Sequence, residues 1–138
     1  MDLLDTILDE AAKFSENELA PLYQSGDEEG CVLEDGVVTT PKGFKEAYSK
    51  FIEGGWTSLT GDVELGGQGL PSSVSLVVNE MLTTANWAWA MYPGLSEGAV
   101  ATLESHGTDT QKKDYLPRLI DLSLIHISEP TRLRRISY

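Results

Sequence analysis

Apolar residues recur every three or four positions along most of this 138-residue chain, and glycine or proline interrupts each such run. This spacing places apolar side chains on one face of a helix, whereas a half-buried strand would alternate every second residue. The first run ends before Pro21, so a helix is predicted over residues 3–20. Its apolar face contains Leu4, Ile7, Leu8, Ala11, Phe14 and Leu19. The pattern constrains the chain to a largely helical fold.

The middle of the chain predicts a helix between two loops. Residues 22–40 are acidic and contain glycine, which indicates a loop with a short extended piece at Val37–Thr39. A second helix is predicted over Pro41–Glu53, with Thr40 as its N-cap and a glycine pair at its end. The glycine-rich residues 56–71 then predict a structured loop.

Two further helices are predicted on either side of a proline-glycine pair. Ser72 or Ser73 caps a third helix that runs towards Met91, and Pro93-Gly94 is expected to break the chain. Ser96 is then expected to cap a fourth helix.

The last helix is predicted over Asp109–Ile120, after Gly107 closes the preceding one. Thr108 and Gln111 have the spacing of a capping box, in which each side chain satisfies the other's free backbone N–H. Pro117 is expected to bend this helix or end it early. Together these segments predict an all-α bundle of about five helices.

The charge balance excludes some classes of partner. The chain has 22 acidic and 10 basic residues, a formal net charge of −12, so we expect no general nucleic-acid binding. No apolar run is long enough to cross a bilayer, and the N-terminus lacks the pattern of a signal peptide. The single cysteine, Cys31, cannot form an internal disulfide. These features favour a cytoplasmic location.

The final segment, residues 122–138, differs abruptly from the rest. It reads Leu-Ser-Leu-Ile-His-Ile-Ser-Glu-Pro-Thr-Arg and, three residues later, Ile-Ser-Tyr. It resembles an in-frame translation of a transposon-end adapter used in DNA sequencing. We therefore expect a native part over residues 1–121, which carries 21 acidic and 7 basic residues, and a non-native tail over residues 122–138. The native part is expected to be a fragment of a longer protein.

The native residues offer little catalytic chemistry of their own. Their one histidine, His106, lies at a predicted helix end, where a capping or surface role is favoured over that of a base. No nucleophile–histidine arrangement, phosphate loop or metal-ligand spacing is present in the sequence. We accordingly predict no catalytic, cofactor-binding or metal-binding residue in this chain.

Two motifs carry a resemblance to a known family. Glu64-Leu-Gly-Gly-Gln-Gly-Leu70 and His106-Gly-Thr-Asp-Thr-Gln-Lys-Lys-Asp-Tyr-Leu-Pro117 occur in the same order and at the same separation as in acyl-CoA dehydrogenases. Over roughly residues 3–121 the chain resembles the N-terminal helical domain of that family. The stretch Ala90-Met-Tyr-Pro-Gly-Leu95 and the segments near Cys31 and Phe44 are more similar to the larger bacterial branch that includes the 3-methylmercaptopropionyl-CoA dehydrogenases.

The resemblance implies an FAD-dependent α,β-dehydrogenation of an acyl-CoA thioester. In that family a glutamate removes the α-proton, FAD accepts the β-hydrogen as hydride, and electrons pass to an electron-transfer flavoprotein. The catalytic glutamate and most FAD contacts would lie beyond Ile120, in a middle β-domain and a C-terminal bundle. A homo-oligomeric parent is also implied.

The resemblance further implies a role for one short segment. Residues at the helix break after the third long helix line the far end of the acyl pocket in the family. In this chain they are Met91, Tyr92, Pro93, Gly94 and Leu95. Simple packing against neighbouring helices remains the alternative for them. For the chain as a whole, the alternatives are a non-enzymatic acidic helical interaction module and a member of the fold without dehydrogenase activity.

Overall fold

The computed structural model describes residues 3–120, which form six α-helices and one small antiparallel hairpin. The boundary predicted at residues 121 and 122, and the adapter-like tail after it, lie outside the described residues. The helices are α1 Leu3–Phe14, α2 Leu22–Glu29, α3 Phe44–Glu53, α4 Ser72–Ala85, α5 Trp87–His106 and α6 Asp109–Ile120. The strands are β1 Val32–Glu34 and β2 Val37–Thr39. The predicted all-α bundle is confirmed for these residues.

The core forms where the apolar faces of α1, α3, α4 and α5 meet around Trp89, whose side chain is fully buried. Its indole ring contacts the rings of Phe14, Tyr48 and Phe51, with centroid distances of 6.1, 6.1 and 5.3 Å. Its Nε1–H donates to the Phe44 carbonyl oxygen at 3.1 Å, so the one polar atom of the ring is satisfied.

The first predicted helix forms, but its last part is a π-helical turn over Ser15–Leu19. There the Ala20 N–H donates to the Ser15 carbonyl oxygen at 2.9 Å, five residues back. Pro21 does not end helical structure, because α2 follows directly. The loop predicted from residue 22 is therefore wrong over α2, whereas the extended piece at Val37–Thr39 is confirmed as β2.

The sequence prediction missed helix α2 because this segment has no apolar stripe. In agreement with that, none of its residues is buried. It is held by a tertiary contact instead. Gly26 lies so close to the ring of Phe44 that a side chain at this position would overlap it. The helix then ends at Gly30, whose φ of +64° favours glycine.

The predicted N-cap of α3, Thr40, is wrong, because the helix begins later. Gly43 occupies the N-cap position with a φ of +84°. A turn precedes it, in which the Phe44 N–H donates to the Pro41 carbonyl oxygen at 3.2 Å. The Lys42 N–H donates to the Glu29 carboxylate at 2.7 Å, and this hydrogen bond links the turn to the end of α2.

The break predicted at Pro93-Gly94 is also wrong, because α5 runs through it and the chain breaks at Asn86 instead. Asn86 is buried and extended, and its Oδ1 accepts from the Trp89 N–H at 3.0 Å. Its Nδ2 donates to the Leu19 carbonyl oxygen at 3.3 Å. The φ angle of proline suits a helix, but Pro93 lacks the N–H that would donate to the carbonyl four residues before it, and its ring crowds that carbonyl group.

Burial on one face holds α5 together across its proline. Trp89, Pro93 and Ser96 are all buried and follow one another at spacings of four and three residues, so they share a face. Ser96, predicted as an N-cap, is therefore an interior residue of the helix. Gly107 ends α5 as predicted, since its N–H donates to the Leu103 carbonyl oxygen at 2.8 Å.

The capping box predicted for α6 is confirmed. The Thr108 N–H donates to Gln111 Oε1 at 2.9 Å, and the Gln111 N–H donates to Thr108 Oγ1 at 3.3 Å. The helix continues through Pro117 to Ile120, because Leu116 and the last two residues of the helix are buried against the bundle.

The structured loop over residues 56–71 is confirmed and contains two short 3₁₀ turns, Trp56–Ser58 and Val63–Leu65. Its glycines bring two backbone segments into direct contact. The Gly67 and Gly69 N–H groups donate to the carbonyl oxygens of Asp62 and Gly61, at 2.8 and 3.0 Å. A Cβ atom at Gly67 would overlap the backbone of Gly61. The glycine motif therefore allows the loop to fold back so that its two backbone segments are in direct contact.

Gly67→Ala should lower the free energy of unfolding by about 2 kcal/mol or more, since the overlap is with backbone that cannot rotate away. Gly98→Ala is the matched control. It lies in α5 with open space around it, and it should raise stability by roughly 0.5–1 kcal/mol through helix propensity. Urea unfolding followed by circular dichroism measures both. Equal stability of the two variants would show that the loop does not need its close backbone approach.

Candidate functional site

The segment Met91–Leu95 lies in the first half of α5, one turn after the Asn86 cap. The helix directs its side chains to different sides. Pro93 is buried in the bundle, whereas the Met91 and Leu95 side chains are 54% and 68% exposed. Because these two residues are four apart, they lie on one open face. We call Met91, Gly94 and Leu95 the open face of α5.

Gly94 widens this open face. No atom lies within 4 Å of the position that a Cβ atom would occupy there. In the middle of a helix a glycine costs about 1 kcal/mol relative to alanine, so the domain gains no stability from it. Within residues 3–120 nothing covers the open face, and it provides flexible, apolar contact surface of the kind that methionine and leucine give.

Tyr92 points away from the open face, towards the hairpin. Its ring meets the Phe44 ring edge-on at 6.2 Å, and its hydroxyl lies 4.0 Å from the Cys31 sulfur. Burial raises the pKa of Tyr92, and the contact with Cys31 adds to the rise. The structure thus brings Met91, Gly94 and Leu95 together and separates them from Tyr92 and Pro93.

The remaining sequence candidates are dispersed. His106 is the exposed last residue of α5, and Cys31 is exposed before β1. Among residues 3–120 no group of three or more histidine, cysteine, aspartate or glutamate side chains is placed to hold a metal ion. In the same residues no helix has the length and apolar character needed to span a membrane.

A small cavity of about 120 Å³ with a mixed polar and apolar lining contains a carboxyl group that no sequence motif predicted. Glu97, near the middle of α5, is partly buried, and its carboxylate accepts from Asn79 Nδ2 at 3.3 Å. Asn79 Nδ2 in turn lies 3.5 Å from the Ser75 hydroxyl. Burial raises the pKa of Glu97, and the bond from Asn79 opposes that rise. No local motif marks Glu97, because its environment comes from a contact between α4 and α5.

Glu97→Gln should stabilise the domain at neutral pH. The raised pKa means that folding favours the protonated form, so wild-type stability is lost as pH rises from the ordinary glutamate pKa near 4.5 through the raised value. Glutamine keeps an acceptor for Asn79 and has no carboxyl group to ionise, so this decrease in stability with pH should disappear. Thermal unfolding of both proteins between pH 4 and 8 measures the difference.

Asp114→Asn is the control for removing one negative charge, since the Asp114 side chain is exposed on α6 and does not line this cavity. The gain at neutral pH should be larger for Glu97→Gln than for Asp114→Asn. A variant Glu97→Gln that is as stable as the control at pH 7 would contradict the account of this cavity.

The chain is similar to known proteins over most of its length. The family model described as acyl-CoA dehydrogenase, N-terminal domain, matches residues 2–123. The chain is 41% identical over 113 residues to the 3-methylmercaptopropionyl-CoA dehydrogenase of Ruegeria pomeroyi. It is 30% identical over 115 residues to the broad-specificity linear acyl-CoA dehydrogenase FadE5 of Mycobacterium tuberculosis.

Each match covers 82% of this chain and 19% of the relative, so the chain spans about a fifth of the length of these curated relatives. The matched region includes every helix described above. It also includes the glycine loop and the capping box of α6, which are the two motifs that carried the resemblance in the sequence. The chain belongs to the acyl-CoA dehydrogenase family and represents its N-terminal helical domain.

Proposed function

We propose that this chain is the helical domain of an acyl-CoA dehydrogenase that removes hydrogens from the α and β carbons of an acyl-CoA thioester. In this proposal the open face of α5 forms part of the wall of the acyl-chain pocket. The observation that carries it is the exposure of Met91 and Leu95 on a helix whose opposite face is core. An apolar face of this kind in a domain of this family suits an acyl chain.

The wall contributes shape and water exclusion. Methionine adapts to an apolar ligand because its unbranched side chain has several low-energy conformations. Gly94 leaves room beside it that any other residue would occupy. A dry, apolar surface also strengthens electrostatic interactions at the thioester end of the substrate, where the α-proton becomes acidic. Pro93, which is buried, supports this face from behind, and Tyr92 borders it on the hairpin side.

The described residues do not fit FAD by themselves. Each of three clefts within residues 3–120 is bordered by acidic side chains, with Glu97 in one, Glu16 and Glu80 in the second and Asp27 in the third. No lysine or arginine lines any of these three clefts. A flavin dinucleotide carries a negatively charged pyrophosphate, which these carboxylates would repel. We therefore assign the FAD contacts of the parent to parts outside this chain, and the family resemblance supports the same assignment for the catalytic base.

The names of the relatives narrow the substrate to acyl-CoA thioesters without selecting a chain length. One relative is named for a 3-methylmercaptopropionyl thioester, and the other for linear acyl groups of broad range. The proposal extends to an electron-transfer flavoprotein as the electron acceptor, a homo-oligomeric parent and a cytoplasmic location in a bacterium. These three points are supported by the family resemblance.

In the full-length parent, Leu95→Trp should lower kcat/KM for long acyl chains about tenfold relative to short ones, because the indole ring fills the far end of the pocket. Met91→Ala should shift the preference towards longer or bulkier chains, because it shortens an apolar side chain on the open face. The measurement is kcat/KM for a series of acyl-CoA substrates with an artificial electron acceptor.

Leu76→Trp on α4 is the matched control, since Leu76 is 70% exposed and lies outside the proposed pocket. It should leave the chain-length profile unchanged. If neither Leu95→Trp nor Met91→Ala alters the profile, this segment is not part of the pocket. If the parent has no dehydrogenase activity with any acyl-CoA, the proposed function itself is wrong.

A further inference from the structure

A groove between α2 and the start of α5 has exposed aromatic rings on its rim. It has a volume of about 410 Å³ and lies on the side of the domain where Tyr92 meets Cys31. Trp87 and Tyr23 form part of its lining, and their side chains are 64% and 62% exposed. Asp27 lies on the same lining, one helical turn after Tyr23. Two open aromatic rings and a carboxylate therefore share one concave surface.

The residues around this groove are mostly acidic, and few basic residues neutralise their negative charge. From Pro21 to Thr40 the chain has five acidic residues and no lysine or arginine. Lys42 pairs with Glu29 at 3.6 Å, and that pair is exposed. Within residues 3–120 none of the ion pairs involves Asp27, Glu34 or Asp35. Lys42 therefore balances one of the five acidic residues, whereas Asp27 and the two carboxylates of the hairpin have no such pair in the described part of the chain.

The hairpin beside the groove is also uncovered within the described residues. Its turn, Asp35-Gly36, has positive φ at both positions, as a two-residue hairpin turn requires. Its apolar side chains are all exposed, at Val32, Leu33, Val37 and Val38. A two-stranded hairpin is only marginally stable by itself. The hairpin and the groove thus form one acidic surface with apolar and aromatic groups.

Arginine is the side chain that fits this combination. Its planar guanidinium stacks on aromatic faces and also donates two parallel hydrogen bonds to a carboxylate, whereas lysine offers a compact point charge. We propose that the groove between α2 and α5 is a docking site for an arginine-containing basic segment of another protein, with Trp87 and Tyr23 stacking on guanidinium groups and Asp27 pairing with one of them.

A second copy fits less well. It would bring the same five acidic residues opposite one another, and like charges at an interface oppose association. The rest of the parent is the other competing occupant, and titration of the intact parent distinguishes it from a separate protein. The site is independent of the open face and of the dehydrogenase assignment.

Calorimetric titration of the 138-residue chain with a short acetylated Arg-Gly-Arg-Gly-Arg peptide tests the proposal, with the lysine analogue as the comparison peptide. At low salt the arginine peptide should bind about threefold or more tightly than the lysine peptide, as expected for stacking at a partly exposed site. Trp87→Ala should abolish that preference, and Asp27→Asn should weaken binding of the arginine peptide about threefold or more.

Leu76→Ala and Asp114→Asn are the matched controls, because Leu76 is as exposed as Trp87 and Asp114 is an exposed acid on α6. Both should bind the two peptides as the unmodified chain does. The proposal is overturned if the arginine peptide does not bind, if the two peptides bind equally, or if the controls lose as much affinity as the groove variants. It is also overturned if the chain forms a dimer that Trp87→Ala dissociates, because a second copy would then occupy the groove. Failure of the intact parent to bind the arginine peptide would overturn it as well.

Discussion

The burial of Trp89 is the interaction on which the arrangement of this domain depends. The indole ring joins α5 to α1 and α3 through three aromatic contacts, and its N–H reaches the Phe44 backbone at 3.1 Å. A tryptophan that is both fully enclosed and hydrogen-bonded has little freedom to rotate or slide. It therefore sets the rotation of α5 about its own axis, and every other residue of that helix takes its position from it.

Asn86 sets where α5 begins, and this has consequences further along the helix. Its Oδ1 accepts from the Trp89 N–H and its Nδ2 donates to the Leu19 carbonyl oxygen, so one residue links the π-helical turn and α4 to α5. With the start and the rotation both determined, Pro93 and Ser96 follow Trp89 into the core. Met91 and Leu95 are then left on the outside. The open face that we assign to the acyl pocket is a direct consequence of where α5 begins and how it is rotated about its axis.

The apolar periodicity predicted the bundle, Gly107 predicted the end of α5, and the spacing of Thr108 and Gln111 predicted the capping box of α6, because each is encoded by neighbouring residues. The break at Pro93-Gly94 was predicted wrongly, since local propensity cannot show that Trp89 and Ser96 are buried on either side of it. Helix α2 and the Gly43 cap depend on contacts with Phe44 and Leu22, which are distant in sequence. The candidate segment 91–95 was found through the family resemblance, whereas Glu97 and the groove beside Trp87 needed the three-dimensional arrangement.

A structure of the full-length parent with a bound acyl-CoA tests the central claim most directly. The account predicts that carbon atoms of the acyl chain lie in contact, within about 4 Å, with Met91 and Leu95 on the open face of α5. It also predicts that the flavin and the catalytic base belong to segments outside this chain. An acyl chain bound on another surface, with Met91 and Leu95 exposed to water in the complex, would contradict the account.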